Sequence, residues 1–378
     1  MPVEAEAGII GGVGGEFVSG LRLAGEFYAA AVRPLLEAEF PGLGYAAALI
    51  GPGSEVLGFD TERSTDHDWG PRLLVFVDDE DAERLGGAVG EMLERRLPAA
   101  FGGYPVAFGV TRDPGSGIRH RVEVFGLGGW LTWRLGFDPR GGVTVQDWLA
   151  APWQRLAEVT AGAVFHDETG GLTRARAALS WYPRDLWRYV LSCQWSRIAE
   201  EEAFPGRCAE ADDELGSAVV TARLARDLMR LWLLMHCRYP PYSKWLGRAF
   251  ARAPGGAGLG APLAAALAAT SWPARERELV AAYRIAAEAH NRLGLTEPLD
   301  PGTRPYYSRP YQVLGAGRFV ASLTDAITDP VIRQLPPAGV ADQVIDSTPA
   351  LGDLRYPRAV TSVSDRDMPV LGVGDTQT

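Results

Sequence analysis

The hydrophobic period of this chain changes once, near residue 170, and that change limits the fold more than any other feature. Before it, short apolar runs alternate with turns and amphipathic stretches. Residues 16–39 carry apolar positions at helical spacing and end at Pro41-Gly42, which predicts a first helix. Residues 45–50 predict a strand, Gly51-Pro52-Gly53-Ser54 a turn, the residues through Leu57 a short helix, and residues 60–68 an acidic strand. A buried strand at 73–77, a helix at 80–97, strands at 106–110 and 119–125, a helix at 144–159 and a short apolar run at 163–165 complete this part. Beyond residue 170 the spacing is helical almost throughout: 183–203, 213–236, 242–253, 261–269, 274–293 and 315–327. The pattern predicts an α/β domain with a mixed sheet over 1–170, an α-helical bundle over 171–333, and an irregular tail over 334–378, where Pro, Gly, Asp, Ser and Thr mix without period.

Composition narrows the function classes. A length of 378 residues suits two domains with a cleft between them. The net charge of −10 gives no general attraction to polyanions, so small substrates are favoured over long nucleic acid. Cys193, Cys208 and Cys237 have no paired spacing, no basic leader precedes an apolar segment, and no run is long enough to span a membrane. A cytoplasmic protein without a membrane partner is expected. Five scattered histidines lack zinc-ligand spacing, and Gly11–Gly15 has neither the preceding strand nor the sixth-position glycine of a dinucleotide loop. Among 37 basic residues the only lysine is Lys244. Where arginine replaces lysine elsewhere, a surviving lysine is either one that arginine cannot replace, because a compact ammonium and a planar guanidinium are different donors, or a chance survivor.

Three acids and a glycine turn carry the chemistry. On a strand, residues i and i+2 share a face, so Asp66 and Asp68 are expected to point the same way with His67 opposite. Glu123, between Val122 and Val124, is an acid emerging from an otherwise apolar strand; pairing with Arg119 or Arg121 is its structural alternative. Gly53 lets the backbone approach a phosphate closely and Ser54 adds a hydroxyl. Asp78 and Asp79 are read instead as helix caps. Arg226 shares a helix face with Arg223 and Arg230 and is either a phosphate contact or part of a solvated stripe; Tyr242, beside Lys244, is either a stacking surface or a packing aromatic.

Gly53-Ser54, Asp66-His67-Asp68 and the later Glu123 resemble the signature of the DNA polymerase β nucleotidyltransferase superfamily. Within it, the chain is most similar to the bacterial DUF4037 family, a resemblance that also takes in Asp213-Glu214-Leu215-Gly216 and Pro241-Tyr242-Ser243-Lys244-Trp245-Leu246-Gly247. The resemblance implies two Mg²⁺ ions, replaceable by Mn²⁺, held by Asp66, Asp68 and Glu123. It also implies a nucleoside triphosphate at Gly53 and Ser54 with Lys244 on its phosphates. The expected reaction is transfer of a nucleoside monophosphate to a hydroxyl of a small molecule, with release of pyrophosphate. A protein or tRNA acceptor, or a silent nucleotide-binding scaffold, are the alternatives. Two departures stand out: His67 replaces the usual apolar residue between the acids, and Trp69-Gly70-Pro71-Arg72 precedes Leu73, so the strand is expected to bend or lie at an edge.

Overall fold

The computed structural model describes residues 17–109 and 117–362, so Gly11–Gly15 and Glu16 lie outside the described residues. Helix α1 (Gly20–Phe27), a wide π-turn (Tyr28–Val32) and α2 (Arg33–Glu39) run on as one helical stretch. The widening comes just before Pro34, which has no N–H for the preceding turn and whose ring crowds it. Strands β1 (Ala46–Leu49) and β2 (Arg72–Val77) follow, then α3 (Asp79–Arg96). A hairpin of β3 (Ala100–Phe101) and β4 (Tyr104–Pro105) leads to β5 (Ala107–Phe108) and the long β6 (Arg119–Gly126). Helices α4 (Leu127–Leu135), α5 (Val145–Ala150) and α6 (Trp153–Thr160) precede β7 (Ala163–Asp167); Pro152 divides what the periodicity predicted as one helix.

The sheet is mixed, in the order β5-β6-β2-β1-β7, with β2 and β6 parallel and the other pairs antiparallel. An α/β region followed by a helical region is therefore observed as expected. The strand expected over 60–68 is not formed. Residues Glu62–Asp66 make a 3₁₀ turn, closed by Thr61 N–H donating to Ser64 Oγ (3.1 Å) and Thr65 Oγ1 to the Glu62 carbonyl (2.8 Å). Pro71 cannot donate to a ladder, so β2 begins one residue after it and sits centrally in the sheet, not at an edge.

Alternation along the central strands gives the sheet two apolar faces. Leu73, Val75, Val77 and Val122 pack with Phe27, Val32, Leu36 and Leu93 from the helices on one face. Leu74 and Phe76, with Ala46 and Ala48, face the other way into a larger core that continues through Trp130, Trp153 and Trp195 to Phe319. The two larger apolar clusters among the described residues thus lie on opposite faces of the sheet. The helical region meets the sheet through α7 (Gly171–Ala178), which packs on β7, and its core continues through α8 (Arg184–Glu201) and α10 (Glu214–Met235), with α9 (Phe204–Glu210) between them in the chain. It continues with α11 (Ser243–Ala251), α12 (Gly256–Ala268), α13 (Trp272–Arg292), a short hairpin of β8 (Arg304–Pro305) and β9 (Gln312–Val313), and α14 (Gly317–Asp325). No helix among the described residues is long and apolar enough to cross a membrane.

The expectation of an irregular tail from residue 334 is overturned for its described part. Helix α15 (Pro330–Arg333) leads into α16 (Ala341–Val344), α17 (Thr348–Gly352) and α18 (Arg355–Thr361). Val340 and Ala341 are fully buried, Asp342 Oδ2 accepts from Trp153 N (2.8 Å), and Gln343 Nε2 donates to Val190 O (3.0 Å) and Gln194 Oε1 (3.1 Å). The segment lacks helical periodicity because it consists of short helical turns held by polar contacts to α5, α6, α8 and α10 rather than by one continuous apolar stripe.

Candidate functional site

The turn after β1 is built around a buried ion pair. Arg72, the first residue of β2, donates from Nε to Glu55 Oε1 (2.7 Å) and from Nη2 to the Pro52 carbonyl (2.6 Å). Gly53 has φ +146°, and a Cβ there would stand 2.6 Å from Glu55 Oε1 and closer still to the Arg72 guanidinium. Gly53 is thus required by the packing of its own turn, independently of any phosphate. No helix follows: Phe59 N–H donates back to the Ser54 carbonyl (2.7 Å) and Gly58 N–H to the Glu55 carbonyl (3.0 Å), closing a compact non-helical loop. The helix N-terminus expected behind Ser54 is therefore replaced by turn amides.

The acids stand differently from the expectation. Asp66 ends the 3₁₀ turn, half exposed, with Oδ1 2.5 Å from His67 Nδ1. Asp68 has φ +53°, a left-handed conformation that Asp tolerates better than most residues, and it redirects the chain toward β2. The two are not i and i+2 neighbours on one strand face. Glu123 lies on β6 opposite Leu74, two residues beyond the Arg72–Arg121 register pair, and its partly exposed carboxylate is 3.7 Å from Arg119 Nη2. Among the described residues no group of three or more His, Cys, Asp or Glu side chains is placed to hold a metal ion. Asp66 and Asp68 are hard oxygen donors of the kind that suits Mg²⁺. Glu123 is likewise a hard oxygen donor, paired in register with Leu74 of β2.

Lys244 is brought toward the turn by helix α11. Trp245 stacks on Phe59 with ring centroids 5.3 Å apart, and Lys244 Nζ lies 4.8 Å above the Trp245 ring. Arg248 Nη1 donates to the Phe59 carbonyl (2.8 Å) and Arg252 Nη1 to the Gly58 carbonyl (2.5 Å), with the Arg252 guanidinium 5.0 Å from the Phe59 ring centre. The helix carrying the only lysine is thereby fastened to the loop that begins at Gly53. Its first turn is also anchored: Tyr242 N–H donates to Gln154 Oε1 (3.1 Å), Gln154 Nε2 to Glu158 Oε1 (2.8 Å), and the Glu158 carbonyl accepts Gly51 N–H (2.8 Å). Tyr242 contributes its backbone to this chain of contacts while its side chain stays half exposed. Arg226 is placed elsewhere, with Nη1 2.9 Å from both oxygens of Asp346, so its charge serves to hold the C-terminal segment. Arg223 pairs with Glu201 and Arg230 Nη1 donates to the Asp342 carbonyl, which accounts for the rest of that arginine stripe.

Phe59, Arg248, Arg252 and Gln154 were not singled out from the sequence. The spacing of Lys244, Arg248 and Arg252 at i, i+4 and i+8 places all three on one helix face and was readable. The docking partner of that face, a loop almost two hundred residues earlier, was not.

Residues 148–246 match the model of the DUF4037 family, a domain of unknown function. The DUF4037 match takes in Gln154, Glu158, Tyr242 and Lys244, while Gly53, Ser54, Asp66, Asp68 and Glu123 lie outside it. No curated protein and no solved structure matches the chain.

Proposed function

We propose that this protein is a Mg²⁺-dependent nucleotidyltransferase, moving a nucleoside monophosphate from a nucleoside triphosphate to a hydroxyl of a small molecule. The observation that carries the reading is the docking of the Lys244 helix on the Ser54–Phe59 loop through Phe59, Trp245 and Arg248. That contact sets a glycine-serine turn and a compact cation on neighbouring elements, the pairing a triphosphate needs. The acceptor oxygen would form a bond to the α-phosphorus as its bond to the β-phosphate bridging oxygen breaks, pyrophosphate departing and the hydroxyl proton passing to water. Ser54 and the turn amides would orient the phosphates, and the Lys244 ammonium would follow the charge that grows on pyrophosphate. Asp66 and Asp68 would hold Mg²⁺, which when bound supplies charge neutralisation at the phosphates.

A second reading, nucleotide binding without transfer, is favoured by the Arg119 guanidinium 3.7 Å from the Glu123 carboxylate, a structural pairing that gives this acid a role other than metal binding. Incubation with each α-labelled triphosphate, Mg²⁺ and a metabolite extract separates the two. Label on a small molecule with stoichiometric pyrophosphate supports transfer, whereas Mg²⁺-dependent binding without pyrophosphate supports the second reading. A cytoplasmic location belongs to the same proposal.

A further inference from the structure

A cavity of about 350 Å³ opens between the Leu57–Phe59 part of the loop, the end of α6 and the junction of α10 with α11. That volume is within the range of small-molecule sites, roughly 300–1,000 Å³. One wall is apolar, formed by Leu57, Phe59 and Ala249. Two arginines, Arg238 and Arg252, border the same space, and neither has a carboxylate partner among the described residues. Arg252 spends one N–H on the Gly58 carbonyl, and a guanidinium has five to give.

The backbone makes room for Arg238 by an uncommon device. Helix α10 closes with Arg238 N–H on the Leu233 carbonyl (3.0 Å) and Cys237 N–H on the Leu234 carbonyl (3.3 Å), a Schellman closure. The left-handed position, usually glycine, is Cys237 with φ +52°. This closure occupies the Leu233 and Leu234 carbonyls with backbone donors.

We propose that this cavity binds the acceptor of the transfer reaction, and that the acceptor is a phosphate monoester on a compact, apolar or aromatic body. Two guanidinium groups match the charge of a phosphate dianion, and the Leu57–Phe59 wall takes the body. The cavity shares its loop with Ser54, whose carbonyl holds Phe59 N–H, so an acceptor here stands next to the turn assigned to the triphosphate. The acceptor role rests on the transferase reading; the binding site does not.

Cys237 also borders the cavity and supplies a local readout, because its side chain is exposed while burial still raises its thiol above the ordinary value. The full chain is alkylated with iodoacetamide, with Cys237 followed by peptide mass, in the presence of phenyl phosphate, benzoate, phenol or inorganic phosphate, and without nucleotide or Mg²⁺. Phenyl phosphate is expected to slow Cys237 alkylation at concentrations about tenfold below those needed for benzoate or inorganic phosphate, and phenol to give no protection. Arg252→Gln is expected to weaken protection by about tenfold or more, and Ala249→Leu, which fills the cavity and keeps both charges, to abolish it. Equal protection by phenol and phenyl phosphate, or protection unchanged in both variants, overturns the site. Protection without any transfer activity supports the site and overturns only its acceptor role, whereas transfer without protection overturns the site and leaves the transferase reading intact.

Discussion

Arg72 and Glu55 form an ion pair, Nη2 to Oε1 2.5 Å, that is almost closed to solvent and lies directly under Gly53. Its position fixes the order of events in this part of the chain: the turn after β1 is shaped from below by a residue at the start of β2. Any group placed at Gly53 must displace the pair. A turn read from sequence as open for phosphate is also a packed structural joint.

Gly53→Val is therefore expected to lower stability, by about 2–4 kcal/mol, as well as to weaken nucleotide binding. The side chain would enter the space of Glu55 and Arg72 in a backbone conformation that a β-branched residue avoids. Urea denaturation without ligand measures the first effect. A melting curve identical to that of the unsubstituted protein would show that the turn can shift away from the pair.

Asp66→Asn and Asp68→Asn are expected to fold normally and to lose transfer by about 10³-fold or more. Asp66 is half exposed, and asparagine tolerates the left-handed conformation at position 68. Glu123→Gln separates the roles of the acids: a loss as large as in the other two variants makes Glu123 a third metal ligand, while a mild effect fits a structural pairing with Arg119. Steady-state rates of pyrophosphate release on all three decide the matter.

Lys244→Arg is expected to reduce turnover despite keeping the charge, and Lys244→Ala to reduce it further, by about 10–100-fold. Neither should alter stability by more than about 0.5 kcal/mol, since the side chain is exposed and stands over Trp245. Turnover equal to wild type in Lys244→Ala would remove the phosphate contact from the mechanism.

His290 supplies a pH dependence of folding. It is buried, Trp195 Nε1 donates to its Nδ1 (3.2 Å), and Nε2 lies 3.3 Å from Thr296 Oγ1, so the neutral ring is the form the core accommodates. Burial lowers its pKa from 6.5 to about 4. The folded value is below the unfolded one, so the contribution is complete above pH 6.5 and is lost as pH falls toward 4. It amounts to about 3 kcal/mol. Denaturation midpoints at pH 7 and pH 4.5 should converge in His290→Gln relative to the unsubstituted protein; equal pH slopes in the two would assign the acid sensitivity to other groups.

The sequence by itself determined the type of the main buried strands and the long helices, because periods of two and 3.6 are local properties of the chain. The change near residue 170, the strand at 72–77 and the long helices from α8 to α14 follow from them. It also marked Lys244 and the Gly53-Ser54 turn, through scarcity and turn chemistry. The placement of Asp66 and Asp68 was decided locally but against the pattern: the Thr61–Ser64 hydroxyl contacts close a 3₁₀ turn, and Pro71 delays the ladder. Only the tertiary structure decided the rest. Glu123 is set opposite Leu74 by pairing between strands some fifty residues apart, residues 340–361 are held by polar contacts to α5, α6, α8 and α10, and Arg248 and Arg252 find the Phe59 and Gly58 carbonyls across the molecule. Each depends on which distant surface a short segment meets, and an apolar period carries no information about that partner.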